Sequence, residues 1–330
     1  RGAAQYNTVT LEVSSSYSAS LTAEVHVEYV GAQADIARHS LAAASIGDYA
    51  IFCGGIWVWV NNGPNEKKDV SHFDSNLTRG TADNLSTSGK ASAATAGEYA
   101  IIASGVTSVD AYNTELLKTT KNYGIKTGGV AASIGNHAIF SESEFHAFNQ
   151  ELVLESVVAP GIAGTKEAAS ANDEYAVFCG DALSGVAYDK HLTRTLVSGL
   201  SVPRNRCTAA RAGNYVVFAG GYKYGEGYSD VVDAYDLFLT RTTPEILSVA
   251  REEINATTLK GLALFAGGSA GLVSEKTIEV YDAFLTQTTP VQLPDGMYQA
   301  GGAAVGDYAL FVGGRNYDHS FGQAKIYKYV

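Results

Sequence analysis

The residues best suited to contact a ligand lie in four glycine-containing stretches, which are 56–69, 220–230, 267–277 and 313–324. The candidate ligand-binding side chains in these stretches are Trp57, Trp59, Tyr222, Tyr224, Tyr228, Arg315 and Tyr317. Aromatic rings stack on the apolar faces of sugars, and Trp, Tyr and Arg also dominate the hot spots of protein interfaces. We therefore expect a glycan or a protein receptor as partner. Strand packing is an equal alternative for Trp57 and Trp59, because they alternate with Val58 and Val60.

Three further candidates are cations that occupy one position of a repeated pattern: Arg38, Arg204 and Arg251. The chain has a formal net charge of −11. A ring of cations around one mouth of a channel would be a local anion site in such a chain, able to receive the carboxylate of an acidic sugar or peptide. The alternative is that these side chains form salt bridges between neighbouring repeats.

Motifs of known catalytic chemistry are missing from the sequence. Its G-x-S-x-G match at residues 267–271 has a strand pattern behind it rather than the helix that a nucleophile elbow needs. The sequence contains no phosphate-binding P-loop and no dinucleotide-binding glycine motif, and its seven histidines do not have the spacing of metal ligands. We therefore expect no catalytic residues, no metal and no cofactor. The alternative is an enzyme acting on a sugar, with its acid and base among Asp181, Glu226, Asp230 and Asp318.

The elements that position these residues come from a repeat. The phrase GDYAIF at 47–52 recurs in related forms, and its Tyr position falls at residues 49, 99, 137, 175, 215, 262 and 308. The spacings of 38 to 50 residues each accommodate one four-stranded blade of a propeller. Small residues precede the phrase and suit an innermost strand, as in 42–45 and 91–94. We expect the repeat tyrosines to be equivalent and largely buried between blades.

Two marks of the repeat resemble the kelch family: paired glycines after the second strand, as at Gly54-Gly55 and Gly220-Gly221, and a Tyr on the third strand, as at Tyr235. The resemblance covers about residues 31–330 and implies an all-β, seven-bladed kelch-like β-propeller. The chain departs from the family because Leu-Thr-x-Thr stands where kelch repeats carry a Trp, and repeats three and four lack the paired glycines.

The two ends of the repeat region predict how the ring closes. The last repeat stops at its third strand, residues 325–330, and residues 34–38 match the end of an outer strand. We therefore expect a strand near residues 31–37 to complete the seventh blade, which would remove exposed strand edges. Residues 1–30 alternate at period two and indicate either a β-hairpin or the remnant of a preceding domain.

Composition limits the class of partner. Hydrophobic residues make up 46% of the chain and charged residues 17%, which is ample for a folded core. The net negative charge argues against nucleic acid, and no apolar run is long enough for membrane insertion. The resemblance to propellers of bacterial surface and phage tail proteins implies a non-catalytic recognition module. It would be attached through its N-terminus to a larger extracellular or virion assembly.

Overall fold

The computed structural model describes residues 27–32, 38–60, 63–104, 108–123, 129–141, 144–156, 166–288, 290–317 and 325–329. These residues form an all-β propeller of four-stranded antiparallel blades. Within these residues there are seven four-stranded sheets, which we number 1 to 7 from the first inner strand. Within the described residues there is no helix that is long and apolar enough to span a membrane.

Each blade has, in order outward from the axis, an inner, a second, a third and an outer strand. Blade 1 consists of Ala42–Ile46, Tyr49–Cys53, Val70–Asp74 and Arg79–Ala82, and blade 2 of Ser92–Ala96, Tyr99–Ala103, Ser108–Asn113 and Lys118–Asn122. Blade 3 consists of Val130–Ile134, His137–Ser141, Phe145–Asn149 and Leu154–Ser156, and blade 4 of Lys166–Ala171, Tyr175–Gly180, Ser184–Asp189 and Arg194–Ser198. Blade 5 consists of Thr208–Ala212, Tyr215–Ala219, Val232–Tyr235 and Arg241–Thr242. Blade 6 consists of Asn255–Leu259, Leu262–Ala266, Thr277–Tyr281 and Val291–Gln292. Blade 7 consists of Gly301–Val305, Tyr308–Val312, Lys325–Tyr329 and Val27–Ala32.

The repeated phrase forms the second strand of every blade, and each of these strands begins at the marker position. The marker tyrosines are equivalent, but Tyr49, Tyr99, Tyr175, Tyr215 and Tyr308 are half-buried rather than fully buried. The tyrosines with no exposed surface lie instead on third strands, as Tyr112 and Tyr235 do. Tyr112 donates a hydrogen bond to the Asp83 carbonyl at 2.7 Å and Tyr235 to the Ser198 carbonyl at 2.9 Å, which satisfies both buried hydroxyls.

Packing between neighbouring blades forms the core. Each of the seven hydrophobic clusters combines residues of two adjacent blades, and one of them joins blade 7 to blade 1. The inner strands also contact one another in sequence around the axis. The Ser45 hydroxyl of blade 1, for example, donates to the Ala304 carbonyl of blade 7 at 2.6 Å. Small residues on these strands allow this close approach.

The outer strand of blade 7 is Val27–Ala32, and it pairs antiparallel with Lys325–Tyr329. The sequence-based position of this strand, residues 31–37, was wrong by several residues. Residues 27–30, which the sequence pattern grouped with the N-terminal segment, belong to this sheet. The rest of the predicted N-terminal β-hairpin, residues 1–26, lies outside the described residues, as do 33–37.

Several connections between second and third strands form short hairpins. They are Ile56–Val60 with Gly63–Glu66 in blade 1, Tyr222–Lys223 with Gly227–Tyr228 in blade 5, and Ser269–Ala270 with Val273–Ser274 in blade 6. The paired glycines that precede them all have positive φ, including Gly220 at 62° and Gly267 at 63°. A side chain at Gly267 would also collide with the Met297 carbonyl. The turn therefore requires glycine for two reasons, its positive φ and this close approach.

Candidate functional site

Segments that enter the inner strands, together with segments that follow the paired glycines after the second strands, bring nine side chains together at one end of the propeller axis. We call this set the mouth cluster; it consists of His39, Arg206, Glu252, Glu253, Ser269, Tyr298, Gln299, Arg315 and Tyr317. Backbone hydrogen bonds link these segments from blade to blade, from Glu253 N to the Arg206 carbonyl at 3.2 Å and from Ser40 N to the Gln299 carbonyl at 2.8 Å. Arg206, Glu253 and Gln299 all have positive φ, near 50–55°, so the chain turns sharply at the rim.

Tyr298 is the platform of the cluster. Its ring is almost fully buried and stacks on Tyr317, with ring centroids 4.9 Å apart and planes inclined by 19°. The guanidinium carbon of Arg315 lies 5.6 Å from the centroid of the same ring. Burial, more than the neighbouring charges, raises the pKa of Tyr298 to about 12, so this phenol stays protonated at neutral pH. Tyr298 therefore holds a cation and a second phenol side by side.

Of the three stacked residues Tyr298, Arg315 and Tyr317, only the last two can reach a ligand. Tyr317 is 41% exposed, and its hydroxyl lies 3.2 Å from the hydroxyl of Ser269. Arg315 is half-buried, and no carboxylate of the described residues pairs with it. A partly desolvated guanidinium without a counter-ion attracts an anionic group more strongly than one in open water.

Two adjacent carboxylates flank this pair. Glu252 is buried and accepts a hydrogen bond from Arg206 at 2.9 Å, while its Oε2 has no hydrogen-bond partner among the described residues. Burial raises the pKa of Glu252, and the Arg206 charge opposes that shift. Glu253 is half-buried and accepts a hydrogen bond from Gln299 Nε2 at 2.8 Å. The rim thus offers carboxylates in two different electrostatic settings.

His39 lies beneath the rim on the blade 1 side. Burial first, and then the charges of Arg315 and Lys90, lower its pKa to about 4. Its Nδ1 lies 3.1 Å from the Ser40 hydroxyl. The imidazole is therefore neutral at pH 7 and can offer either a hydrogen-bond donor or an acceptor. Among the described residues, no group of three His, Cys, Asp or Glu side chains is arranged to hold a metal ion.

The predicted cationic ring is wrong, because Arg38, Arg204 and Arg251 are buried inside their own blades. Arg204 pairs with the buried Asp233 at 2.8 Å and donates from Nε to the Gly220 carbonyl at 2.6 Å. Arg251 pairs in the same way with the buried Glu279. These arginines hold the glycine corner and the third strand of a blade together, rather than bridging blades or facing a channel.

The predicted aromatic residues are distributed over three places. Tyr317 joins the mouth cluster, whereas Tyr222, Tyr224 and Tyr228 form the blade 5 hairpin. There Tyr222 and Tyr228 meet edge to face with centroids 5.5 Å apart, and Tyr224 is 93% exposed. Antiparallel pairing of Asn205 with Tyr222 joins this hairpin to the rim segment of blade 5. The backbone of Trp57 and Trp59 lies in the blade 1 hairpin, and their side chains are outside the described residues.

The acid and base candidates from the sequence are dispersed. Asp181 and Glu226 are exposed, Glu226 pairs with Lys223 at 2.6 Å, and Asp230 is half-buried behind the blade 5 hairpin. Asp318 lies outside the described residues. Sequence reasoning missed His39, Glu252 and Tyr298 instead. All three occupy the repeat position that follows Arg38, Arg251 and Met297, and the change of residue type at this fixed position is the signal that could have found them.

Comparison with known proteins supports the fold alone. No family model matches the chain, and no curated protein matches it. Among solved structures it is similar to a streptogramin B lyase at a TM-score of 0.65 and 9% identity, covering 93% of this chain and 97% of the other. It is similar to virginiamycin B lyase from Staphylococcus aureus at 0.64 and 8%, covering 93% and 99%. For YjhT the TM-score is 0.56 at 10% identity, covering 88% and 93%.

These structures correct the functional hypothesis. The expectation of a non-catalytic recognition module in a phage tail or surface assembly is contradicted, because the propellers that this chain resembles include two lyases. Membership of the kelch family is not shown either. At identities of 8–10% the likeness does not establish that this chain is itself an enzyme.

Proposed function

We propose that the chain is a lyase that cleaves an acidic polysaccharide by elimination at the mouth cluster. The observation that carries this proposal is the pairing of Arg315 and Tyr317 on the ring of Tyr298. The pair places a cation that no carboxylate of the described residues pairs with beside an exposed phenol. Elimination next to a carboxylate needs these two groups, one to bind the carboxylate and one to transfer a proton.

Arg315 binds the carboxylate of a uronic acid residue and stabilises the negative charge that builds up on it during the reaction. Glu253 lies close enough to Tyr298 for its charge to raise the pKa of that phenol. It accepts the proton from the carbon next to the substrate carboxylate. The electron pair left behind forms a carbon–carbon double bond as the carbon–oxygen bond at the adjacent carbon breaks. The departing oxygen takes its proton from Tyr317, which recovers one from Glu253 through solvent.

The surroundings supply substrate binding. The blade 5 hairpin offers the faces of Tyr222, Tyr224 and Tyr228 to sugar rings beside the rim. A polysaccharide substrate also agrees with the glycan partner and the extracellular location expected from the sequence, and both are parts of this proposal. We further infer that the blades are kelch-like, from the positive φ of the paired glycines, and that seven of them form one ring closed by Val27–Ala32.

The test is incubation with polygalacturonate, alginate, hyaluronate and heparin, followed by the ultraviolet absorbance of the unsaturated product and by a reducing-end assay. An elimination produces both signals, whereas hydrolysis produces reducing ends alone. Tyr317→Phe keeps the stacked ring and removes the hydroxyl, so we expect kcat to fall by about 10²-fold or more.

Tyr99→Phe is the matched control, because Tyr99 is a half-buried marker tyrosine outside both the mouth cluster and the blade 5 hairpin, and its change should leave kcat unchanged. The proposal fails if none of the four polymers yields an unsaturated product. It also fails if Tyr317→Phe is as active as the parent chain.

A further inference from the structure

A polar cavity between blades 1 and 2 has no role in the elimination chemistry of the mouth cluster. It has a volume of about 480 Å³ and is lined by Glu66, Lys68, Ser86, Thr87, Ser88, Gly89, Lys90 and Ser104. We call it the blade 1–2 cavity. Its size is within the range of small-molecule pockets, although its lining is more polar than that of most.

The cavity adjoins the mouth cluster through a short backbone path. The Gly55 amide donates to the carbonyl of Gly89 at 3.2 Å, so blade 1 is fixed to the cavity wall. On its other side Gly55 is so close to His39 that a side chain there would come within 2.7 Å of the His39 carbonyl. One residue therefore separates the rim at His39 from the cavity at Gly89.

The lining chemistry suits a charged sugar. Lys68 and Lys90 are both exposed, and Lys68 Nζ is held by the Ser86 carbonyl at 2.7 Å. Hydroxyl groups of four serines and threonines line the walls, and Thr87 is fixed by Ser104 at 2.6 Å. Glu66 is the one acidic side chain of the lining, so the two lysines leave a net positive charge. The Glu66 carboxylate can accept hydrogen bonds from sugar hydroxyls.

We propose that the blade 1–2 cavity is a second subsite, which binds the carboxylate and hydroxyls of another uronic acid residue in the same polymer. This inference rests on the proposed function and deepens it, because it makes the site selective for chains over single sugars. Lys90 and Lys68 bind the second carboxylate while Arg315 binds the first. Two anchors on one chain add their binding energies without paying twice for association.

The experiment compares the binding of oligogalacturonates and of galacturonate monomer by isothermal titration calorimetry, at low and high NaCl. Lys90→Gln and Lys68→Gln should each weaken oligomer binding by about tenfold, since each removes a hydrogen bond to a charged group, and should leave monomer binding unchanged. High salt should weaken oligomer binding to the parent chain more than to the variants. Lys260→Gln is the matched control, because Lys260 is also an exposed lysine and lies far from the cavity, in the turn between the inner and second strands of blade 6, where it pairs with Asp307 of blade 7.

The outcomes separate this inference from the lyase proposal. Weaker oligomer binding in the lysine variants supports the subsite even if no unsaturated product ever forms. Elimination by the parent chain with unchanged oligomer binding in Lys90→Gln and Lys68→Gln overturns the subsite and leaves the lyase proposal standing. An absence of any oligogalacturonate binding overturns the subsite as well.

Discussion

The buried ion pair of Arg204 and Asp233 allows a direct test of its structural role. Both side chains have no exposed surface, and the guanidinium also donates to the carbonyls of Val202, Gly220 and Val231. Arg204→Met removes the cation and leaves Asp233 buried, with only the Ser201 amide and the more distant Arg241 near it. Breaking a buried pair from one side costs about 3–5 kcal/mol, because an uncompensated charge remains.

Urea unfolding followed by tryptophan fluorescence would measure the loss. We expect Arg204→Met to lower the free energy of unfolding by roughly 3–5 kcal/mol, and Arg204→Met/Asp233→Leu to recover a large part of it, since the buried charge is then gone. Arg315→Met is the control at the rim and should cost about 1–2 kcal/mol, the value of a partly desolvated cation–π contact with no buried counter-charge left behind. A loss below about 1 kcal/mol for Arg204→Met would refute a structural role and restore Arg204 as a candidate for ligand binding.

Two further predictions concern closure of the ring and the rim histidine. Deleting residues 1–37 removes Val27–Ala32 and should lower Tm clearly, whereas deleting residues 1–26 should not; equal melting temperatures for the two truncations would contradict the pairing with Lys325–Tyr329. The pKa of His39 is about 4 in the folded chain and 6.5 in the unfolded chain, so protonation favours unfolding and stability is lost as pH falls between these values. The loss should be roughly 3 kcal/mol, at about 1.4 kcal/mol per pH unit. Urea titrations of His39→Gln between pH 6.5 and pH 4 should not show this loss of unfolding free energy. The same pH dependence in the variant and the parent chain would show that His39 titrates normally.

The sequence was most informative where one structural position recurs. A phrase rich in aromatic and β-branched residues, repeated along the chain, predicted all seven second strands, each beginning at its marker, as at Tyr49 and Leu262. The strand Val27–Ala32 was placed imprecisely because its partner lies about 300 residues away, and local alternation does not encode which distant strand it pairs with.

The candidate site was harder to predict for a physical reason. A repeat period shows that Arg38, Arg204 and Arg251 are equivalent, but it does not show which way a side chain points. The burial of Arg204 follows from Asp233, a partner 29 residues further along the chain. Tyr298, Tyr317 and Arg315 are brought together by the backbone pairing of Tyr298 with Arg315, and the residue types alone contain no trace of that contact.

The buried arginines also have a consequence for the order of events during synthesis. Arg251 precedes the inner strand of its blade, and the carboxylate of Glu279 that neutralises it follows 28 residues later, on the third strand. Until that strand has left the ribosome, the guanidinium has no counter-ion and must remain in water, because burying it alone would be too costly. Blades 5 and 6 therefore cannot settle with two strands in place. Blades 5 and 6 therefore each complete only when their third strand has been synthesised. This disfavours stable two-stranded intermediates of these blades on the nascent chain.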